Sequence, residues 1–154
     1  MASSILPYPD LSFKKGEVLR AEALNELQAN IAAVAQMFSP KFSWVQLGER
    51  TLTKNSATMT SVNISDLPVG AKFLAAGVVQ GTVKAETITA IIADIEYNGV
   101  GYGNNNASTW GTSVATMHQF EKVAGVNTVN LKAFKDNDNP VYANEAILFV
   151  MRVG

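Results

Sequence analysis

The chain has 154 residues, no cysteine and a formal net charge of −1, and only 16% of its residues are charged. The length allows one domain with an appendage, and the lack of cysteine excludes disulfides, zinc–thiolate centres and cysteine nucleophiles. A net charge this close to zero, with no basic cluster interleaved with aromatic residues, argues against nucleic-acid binding.

Residues 1–16 are predicted to form an extended arm, because Pro7 and Pro9 each fix φ and keep the residue before them out of the helical region. The arm carries five apolar residues that no local element would bury: Ile5, Leu6, Tyr8, Leu11 and Phe13. Three interpretations stay open. The arm folds back onto its own domain, docks in a groove on another protein, or is disordered.

The segment 17–40 is predicted to be an oligomerisation element with a helix over residues 21–38. Its apolar residues recur at spacings of three and four, which is the pattern of a heptad seam: Leu24, Leu27, Ile31, Val34 and Phe38. The seam predicts either packing on the chain's own β domain or association with copies of the chain about an axis. Two heptads are too short for a stable isolated coiled coil, so association would need help from the β domain.

Residues 41–154 are predicted to form a β domain. Seven segments are β-rich, several of them alternate apolar with polar residues, and turn-forming residues separate them: FSWVQL, ATMTSVNI, AKFLAAGVVQGTV, TITAIIADIEYN, ATMHQFEKV, NTVNLKAF and AILFVMRV. Strands at this spacing predict an antiparallel sandwich. The predicted fold class is therefore mainly β: an extended arm and one α-helix, followed by an antiparallel β-sandwich.

Residues 97–112, YNGVGYGNNNASTWGT, are predicted to form a long loop, since no helical or strand period survives in this Gly- and Asn-rich stretch. Tyr, Trp, Gly, Ser and Asn are also the residues of adaptable binding surfaces. Tyr97, Tyr102 and Trp110 are therefore candidate receptor contacts. A neutral or self-interface loop is the alternative.

The residue types needed for catalysis do not form a recognisable motif. His118 is the single histidine, no GxSxG elbow occurs, and GVGYG at 99–103 lacks the ending of a phosphate-binding loop. Asp136 and Asp138 in KDNDNP lack the Gly and Glu positions of an EF-hand, so a turn explains them better. We therefore predict no enzymatic activity, no metal site and no cofactor, and a small hydrolase on a β scaffold is the competing hypothesis.

The N-terminal residues show no basic segment followed by an apolar one, so no signal peptide is expected. The longest apolar runs have the length of short strands, far below that of a membrane span. We therefore expect no membrane insertion.

The stretch YPDLSFKKGEVLRAEALNELQANI, residues 8–31, resembles the N-terminal segment of many tailed-phage virion proteins. In those proteins an aromatic-Pro-Asp arm leads into a Gly-x-Val-Leu-x-Ala-x-x-Leu-Asn helix start. The matching residues here are Tyr8, Pro9, Asp10, Phe13, Gly16, Val18, Leu19, Ala21, Leu24 and Asn25. Arg20 stands where those proteins often carry Thr, and arginine cannot accept the backbone hydrogen bond of an N-cap. This departure weakens the cap and puts the first residue of the helix in doubt.

Residues 125–154, GVNTVNLKAFKDNDNPVYANEAILFVMRVG, resemble the closing hairpin of tumour-necrosis-factor/C1q-like jelly rolls. The matched features are Gly125, the run 127–129, the alternating Leu131 and Ala133, the turn, and the final strand over 147–153. The resemblance implies that the β domain is a jelly roll, and such domains are typically compact trimers.

Together the two resemblances imply a structural component of a tailed-phage virion, made in the host cytoplasm and located on the virion surface. The implied molecule is a short homotrimeric appendage, a capsid decoration protein or head fibre, whose N-terminal arm docks on the major capsid protein or another virion protein. A capsid position is favoured because the chain has no long shaft of repeats. The alternative is a short tail fibre or receptor-binding protein that contacts a host surface glycan or protein through residues 97–112.

Overall fold

The computed structural model describes residues 21–38, 40–83, 89–108 and 113–154. The chain divides into two compact units, residues 1–39 and residues 40–154. In the first unit the helix α1 spans Ala21–Phe38, which are the predicted bounds. The predicted docking arm, with Ile5, Leu6, Tyr8, Leu11 and Phe13, lies outside the described residues.

The described part of the second unit has eight strands, and the predicted segments account for seven of them. The strands are β1 Lys41–Thr51, β2 Ala57–Asn63, β3 Lys72–Val83, β4 Ala90–Tyr97, β5 Val100–Ser108, β6 Ser113–Glu121, β7 Thr128–Lys135 and β8 Val141–Arg152. Most of them carry turn-forming residues at their ends, which is why they stop where they do.

The strands form two four-stranded sheets. The first sheet has the order β1-β8-β3-β6, the second has the order β2-β7-β4-β5, and every described neighbouring pair is antiparallel. Eight antiparallel strands divided between two sheets in this order make a jelly roll. The predicted fold class, a mainly β chain with one helix and a jelly-roll sandwich, is confirmed.

The core lies between the two sheets and follows the two-residue period of the strands. Phe73 of β3 is fully buried, and its ring centroid lies 5.4 Å from those of Tyr97 and Phe120. Gly77 of β3 gives room to a core side chain of the other sheet, since an added Cβ would lie 2.5 Å from Leu131 Cδ1. The close approach of the two sheets therefore depends on a glycine at this position.

The prediction that residues 97–112 form a loop is wrong for most of its length. Tyr97 is the last residue of β4, and after a turn of two residues the next strand, β5, begins at Val100. Asn98 and Gly99 have φ of 53° and 75°, and these left-handed values suit the tight turn of a hairpin. The Asn-Gly pair was the signal for this hairpin, and the low β propensity of the glycines and asparagines that follow obscured it.

The expectation that residues 125–154 form a closing hairpin is also wrong, because β7 and β8 belong to different sheets. The KDNDNP stretch between them is a turn, as predicted, and it carries the chain from one sheet to the other. Asp136 accepts a hydrogen bond from the backbone N–H of Ala90 at 3.0 Å, and Lys135 donates to the carbonyl of Asn139 at 2.9 Å. The polar side chains of this turn thus satisfy backbone groups.

Candidate self-association face

The outer surface of the first sheet is apolar. We call it the apolar face, and it consists of Phe42 and Trp44 of β1, Ile147, Phe149 and Met151 of β8, Leu74, Ala76 and Val78 of β3, and Ala115 and Met117 of β6. The strand register aligns most of these residues in two cross-strand rows, Phe42–Phe149–Ala76–Met117 and Trp44–Ile147–Val78–Ala115. The face therefore crosses all four strands without a break.

The side chains at the two edges of the apolar face are the most exposed. Phe42 is 62% exposed, Trp44 is 54% exposed and Met117 is 63% exposed. Strands about 4.8 Å apart and side chains repeating about every 7 Å along a strand give the face an area of roughly 400 Å². The largest apolar patch on a typical monomer is of about this size, and such a patch is often functional.

The strand β8 is apolar on both sides over residues 146–151. Ala146, Leu148 and Val150 are buried in the sandwich core, while the intervening residues point outward onto the apolar face. A strand that is apolar at every position is typical of sheets covered on both surfaces. This run was visible in the sequence and could have identified the apolar face.

The strand β1 presents its aromatic residues outward and a hydroxyl inward. Ser43 lies between Phe42 and Trp44, and its Oγ forms a hydrogen bond with Thr60 Oγ1 of the second sheet at 2.6 Å. Because side chains alternate between the two faces of a strand, burying the two aromatic residues in the core would turn Val45 and Leu47 outward. The register with β8 settles the choice, and the aromatic residues lie on the surface.

A polar row marks one end of the apolar face. Gln46, Glu145 and Gln80 lie side by side on β1, β8 and β3. They line a cavity of 260 Å³ together with Gly48, Glu49 and Asn144, next to an irregularity in β1 where Gly48 and Glu49 both have φ of 58°. The apolar face therefore stops at a defined position along the strands.

The outer surface of the second sheet, which we call the polar face, carries a network of polar side chains beside one half-buried apolar pair, Ile92 and Phe134. Ser61 donates to Asn130 Oδ1 at 2.7 Å, Asn130 donates to Glu96 Oε1 at 2.9 Å, and Lys132 forms an ion pair with Glu96. The hydrogen bond from Lys132 lowers the pKa of Glu96, whereas burial raises the pKa of the neighbouring Asp94. Ser61, Asn130, Glu96 and Lys132 thus form one hydrogen-bonded network on this face, whereas Asp94 Oδ1 is buried without a hydrogen-bond partner among the described residues.

The predicted oligomerisation residues are apolar side chains with substantial exposure wherever the structure describes them. On α1, Leu24, Ile31 and Val34 are exposed and Leu27 is half-buried. The side chain of Phe38 lies outside the described residues. The association of these residues with other copies stays a prediction.

The predicted receptor contacts do not form a common surface site. Tyr97 is only 4% exposed, and its hydroxyl accepts a hydrogen bond from the N–H of Val123 at 2.8 Å, so it is a core residue and its assignment as a receptor contact is wrong. Tyr102 is half-buried and its ring stacks on His118 at a centroid distance of 4.2 Å. Trp110 lies outside the described residues.

The sequence interpretation missed one buried cation. Lys122 is 3% exposed and donates to the carbonyls of Val123 and Val126 and to Asn127 Oδ1. A buried ammonium group is tolerated when its donors are satisfied in this way. Lys122 therefore ties together the turn between β6 and β7, and it was hidden because a lysine at a strand end usually faces solvent.

The described residues contain no group of three or more His, Cys, Asp or Glu side chains that could hold a metal ion. Within the same residues, no helix is both long and apolar enough to cross a membrane.

No family model matches this sequence, and no curated protein matches it. Among solved structures, the chain is similar to dimeric latent PorU from Porphyromonas gingivalis, with 10% identity over 75% of this chain and 13% of that chain and a TM-score of 0.47. It is similar to VP2 of the infectious bursal disease virus subviral particle, with 11% identity over 73% of this chain and 33% of that chain and a TM-score of 0.45.

The chain is also similar to Eiger TNF from S. frugiperda, with 6% identity over 76% of this chain and 93% of that chain and a TM-score of 0.39. The chain thus spans a third or less of the PorU and VP2 chains. Likenesses this distant concern the arrangement of strands and carry no information about activity or partners.

Proposed function

We propose that the protein is a non-enzymatic structural component of a tailed-phage virion that assembles as a short homotrimeric appendage. The observation that carries the proposal is the apolar face, which includes two aromatic residues more than half exposed on one jelly-roll sheet. Burying apolar surface between subunits stabilises an assembly by about 25 cal/mol per Å². A threefold axis closes such an assembly and leaves no free apolar face for further growth.

The helix α1 supplies a second surface for the same assembly. The apolar face covers roughly 400 Å², which is about half of what one partner buries in an interface of standard size. The exposed apolar residues of α1 can supply the rest of the buried area, since three helices about one axis can cover them. In this proposal the β domain and the helix contribute jointly, and neither is sufficient alone.

The N-terminal arm is the proposed docking element. Residues 8–31 resemble the N-terminal segment of tailed-phage virion proteins, and the arm offers apolar side chains to a groove on the major capsid protein or another virion protein. Three arms on one trimer would dock with avidity, because once the first arm is bound the other two bind at a high effective concentration. We therefore propose a capsid decoration protein or head fibre on the virion surface.

Cosedimentation with phage particles tests the docking proposal. Purified protein is mixed with particles of the phage that encodes it, produced without this gene, and we expect saturable binding with copy numbers in multiples of three. Leu6→Asp and Phe13→Asp together should weaken binding at least about tenfold, since each buries a charge in the docking groove. Lys14→Gln is the matched control in the same arm. Absence of the parent protein from both the pelleted and the natural particles would refute the virion assignment.

A further inference from the structure

The side chains of the apolar face differ in size from one edge to the other. On β1 the outward side chains are Phe42 and Trp44, both large and more than half exposed. Two strands further, on β3, the same rows carry Ala76 and Val78, which are small and half-buried. The face thus has a protruding edge on β1, which we call the knob, and a lower strip along β3.

The lower strip is bordered on both sides by longer side chains. Phe149 of β8 and Met117 of β6 are the cross-strand neighbours of Ala76, one on each side. These two strands lie about 9.6 Å apart, which is two strand spacings. We call the surface over Ala76, between the side chains of Phe149 and Met117, the trough.

We infer that the knob of one copy, Trp44 with Phe42, seats in the trough over Ala76 of a neighbouring copy. This inference rests on the self-association in the proposed function and specifies which residues meet. In a homotrimer each copy gives its knob to the next and receives the knob of the previous one, so every trough is filled. The knob and the trough belong to the same surface. A second copy of this chain is therefore the fitting partner, because large side chains interdigitate with small ones in close-packed interfaces.

The polar end of the face limits where the knob can lie along the trough. The polar row of Gln46, Glu145 and Gln80 lies one row beyond Trp44. A copy shifted along the strands would place an aromatic ring against this row and leave polar groups buried without partners, which is unfavourable. Shifts of the knob toward this row are therefore disfavoured.

Two variants test the knob and the trough separately. Trp44→Ala removes the indole of the knob but keeps the trough, and Ala76→Trp fills the trough but keeps the knob. Each variant alone should be monomeric, with a dissociation constant raised at least about 30-fold, as expected for an aromatic anchor. Mixed in equal amounts, they should form a one-to-one heterodimer, because one intact knob still meets one intact trough.

Native mass spectrometry of the full-length proteins resolves the species, since the two variants differ in mass. Thermal unfolding by circular dichroism checks that each variant is folded, and Ala115→Trp on the trough side replaces Ala76→Trp if the latter fails. Thr58→Trp places the same bulky residue on the polar face and should leave the parent association unchanged.

The result that supports the inference is a mixed dimer far more abundant than either homodimer. A monomeric mixture from an associated parent would overturn the knob–trough contact and leave self-association through another surface. Homodimers as abundant as the mixed species would overturn it as well. A monomeric parent would overturn both the inference and the proposed trimer, whereas a dimeric parent with the mixed-dimer result would keep the contact and overturn only the trimer.

Discussion

The two outer faces of the sandwich are built on sheets of equal strand number but differ in chemistry. On the polar face, Asn130 links Ser61 to Glu96, and Glu96 is paired with Lys132, so this network is satisfied within one chain. On the apolar face, Phe42 and Trp44 protrude into solvent. The difference suits the polar face to solvent and the apolar face to a partner, because hydrogen-bonding groups can be satisfied by water whereas apolar area cannot.

Two consecutive strands illustrate the same difference. In β7 the core residues Val129 and Leu131 alternate with Asn130 and Lys132, which face outward. In β8 the residues outward of the core are Ile147, Phe149 and Met151. A strand of an antiparallel sheet with one solvated face shows the first pattern, and a strand covered on both faces shows the second.

The largest expected effect is the loss of association when a charge enters the apolar face. Phe149→Asp places a carboxylate at the centre of the face and should raise the dissociation constant at least about 100-fold, because the charge would be buried without a partner. Thr58→Asp is the control, since it adds the same charge to the polar face. Analytical ultracentrifugation measures both, and an equal response of the two variants would remove the distinction between the faces.

Charges placed on the helix α1 are expected to weaken association less than a charge on the apolar face. Leu27→Asp and Ile31→Asp should each weaken association about tenfold, since α1 supplies only part of the proposed interface. Ala29→Asp is the matched control because it lies outside the heptad seam of the same helix. If both seam variants associate as tightly as the parent, α1 takes no part in the assembly.

The polar face should contribute to the stability of the subunit and not to association. Glu96→Gln should lower the free energy of unfolding by about 0.5–1 kcal/mol at neutral pH, the range of a partly exposed ion pair, with no change in oligomeric mass. Because the pKa of Glu96 is lowered in the folded state, this difference should be present above the ordinary pKa of a glutamate and be lost as the pH falls through the lowered value. Glu121→Gln, at an exposed position of β6, is the control. Urea unfolding between pH 3 and pH 7, roughly the range in which carboxylates titrate, measures the effect, and a pH-independent difference would contradict the role of the ion pair.

The smallest expected effect is an increase in the free energy of unfolding. Burial raises the pKa of Asp94, so the ionised form is disfavoured in the folded state at neutral pH. Asp94→Asn should therefore stabilise the protein by a few tenths of a kcal/mol at neutral pH after allowance for solvent screening. The gain should vanish below the ordinary pKa of an aspartate, where the native carboxyl is also neutral in both states. A destabilised variant at neutral pH would show that the attraction of Lys132 outweighs burial.

Periodicity and turn residues predicted the helix bounds, seven strands and an antiparallel sandwich, because these features follow from local sequence, whereas the jelly-roll class was implied by the resemblance of residues 125–154. Periodicity did not predict which face of β1 is buried. Phe42 and Trp44 alternate with a polar residue, Ser43, which is the pattern that core residues of a strand usually show. The pairing of β1 with β8, a contact between distant parts of the chain, decided it. The burial of Tyr97 was missed for a related reason, because its place beside Phe73 and Phe120 depends on contacts between the two sheets.

Self-association through the apolar face is the central claim, and the solution mass of the purified full-length chain tests it most directly. Multi-angle light scattering of the parent should give about three times the chain mass of 16.5 kDa. The same measurement on Phe149→Asp should give one chain mass. A parent that runs as a single chain across micromolar concentrations would contradict the account, because its apolar face would then be stable in water.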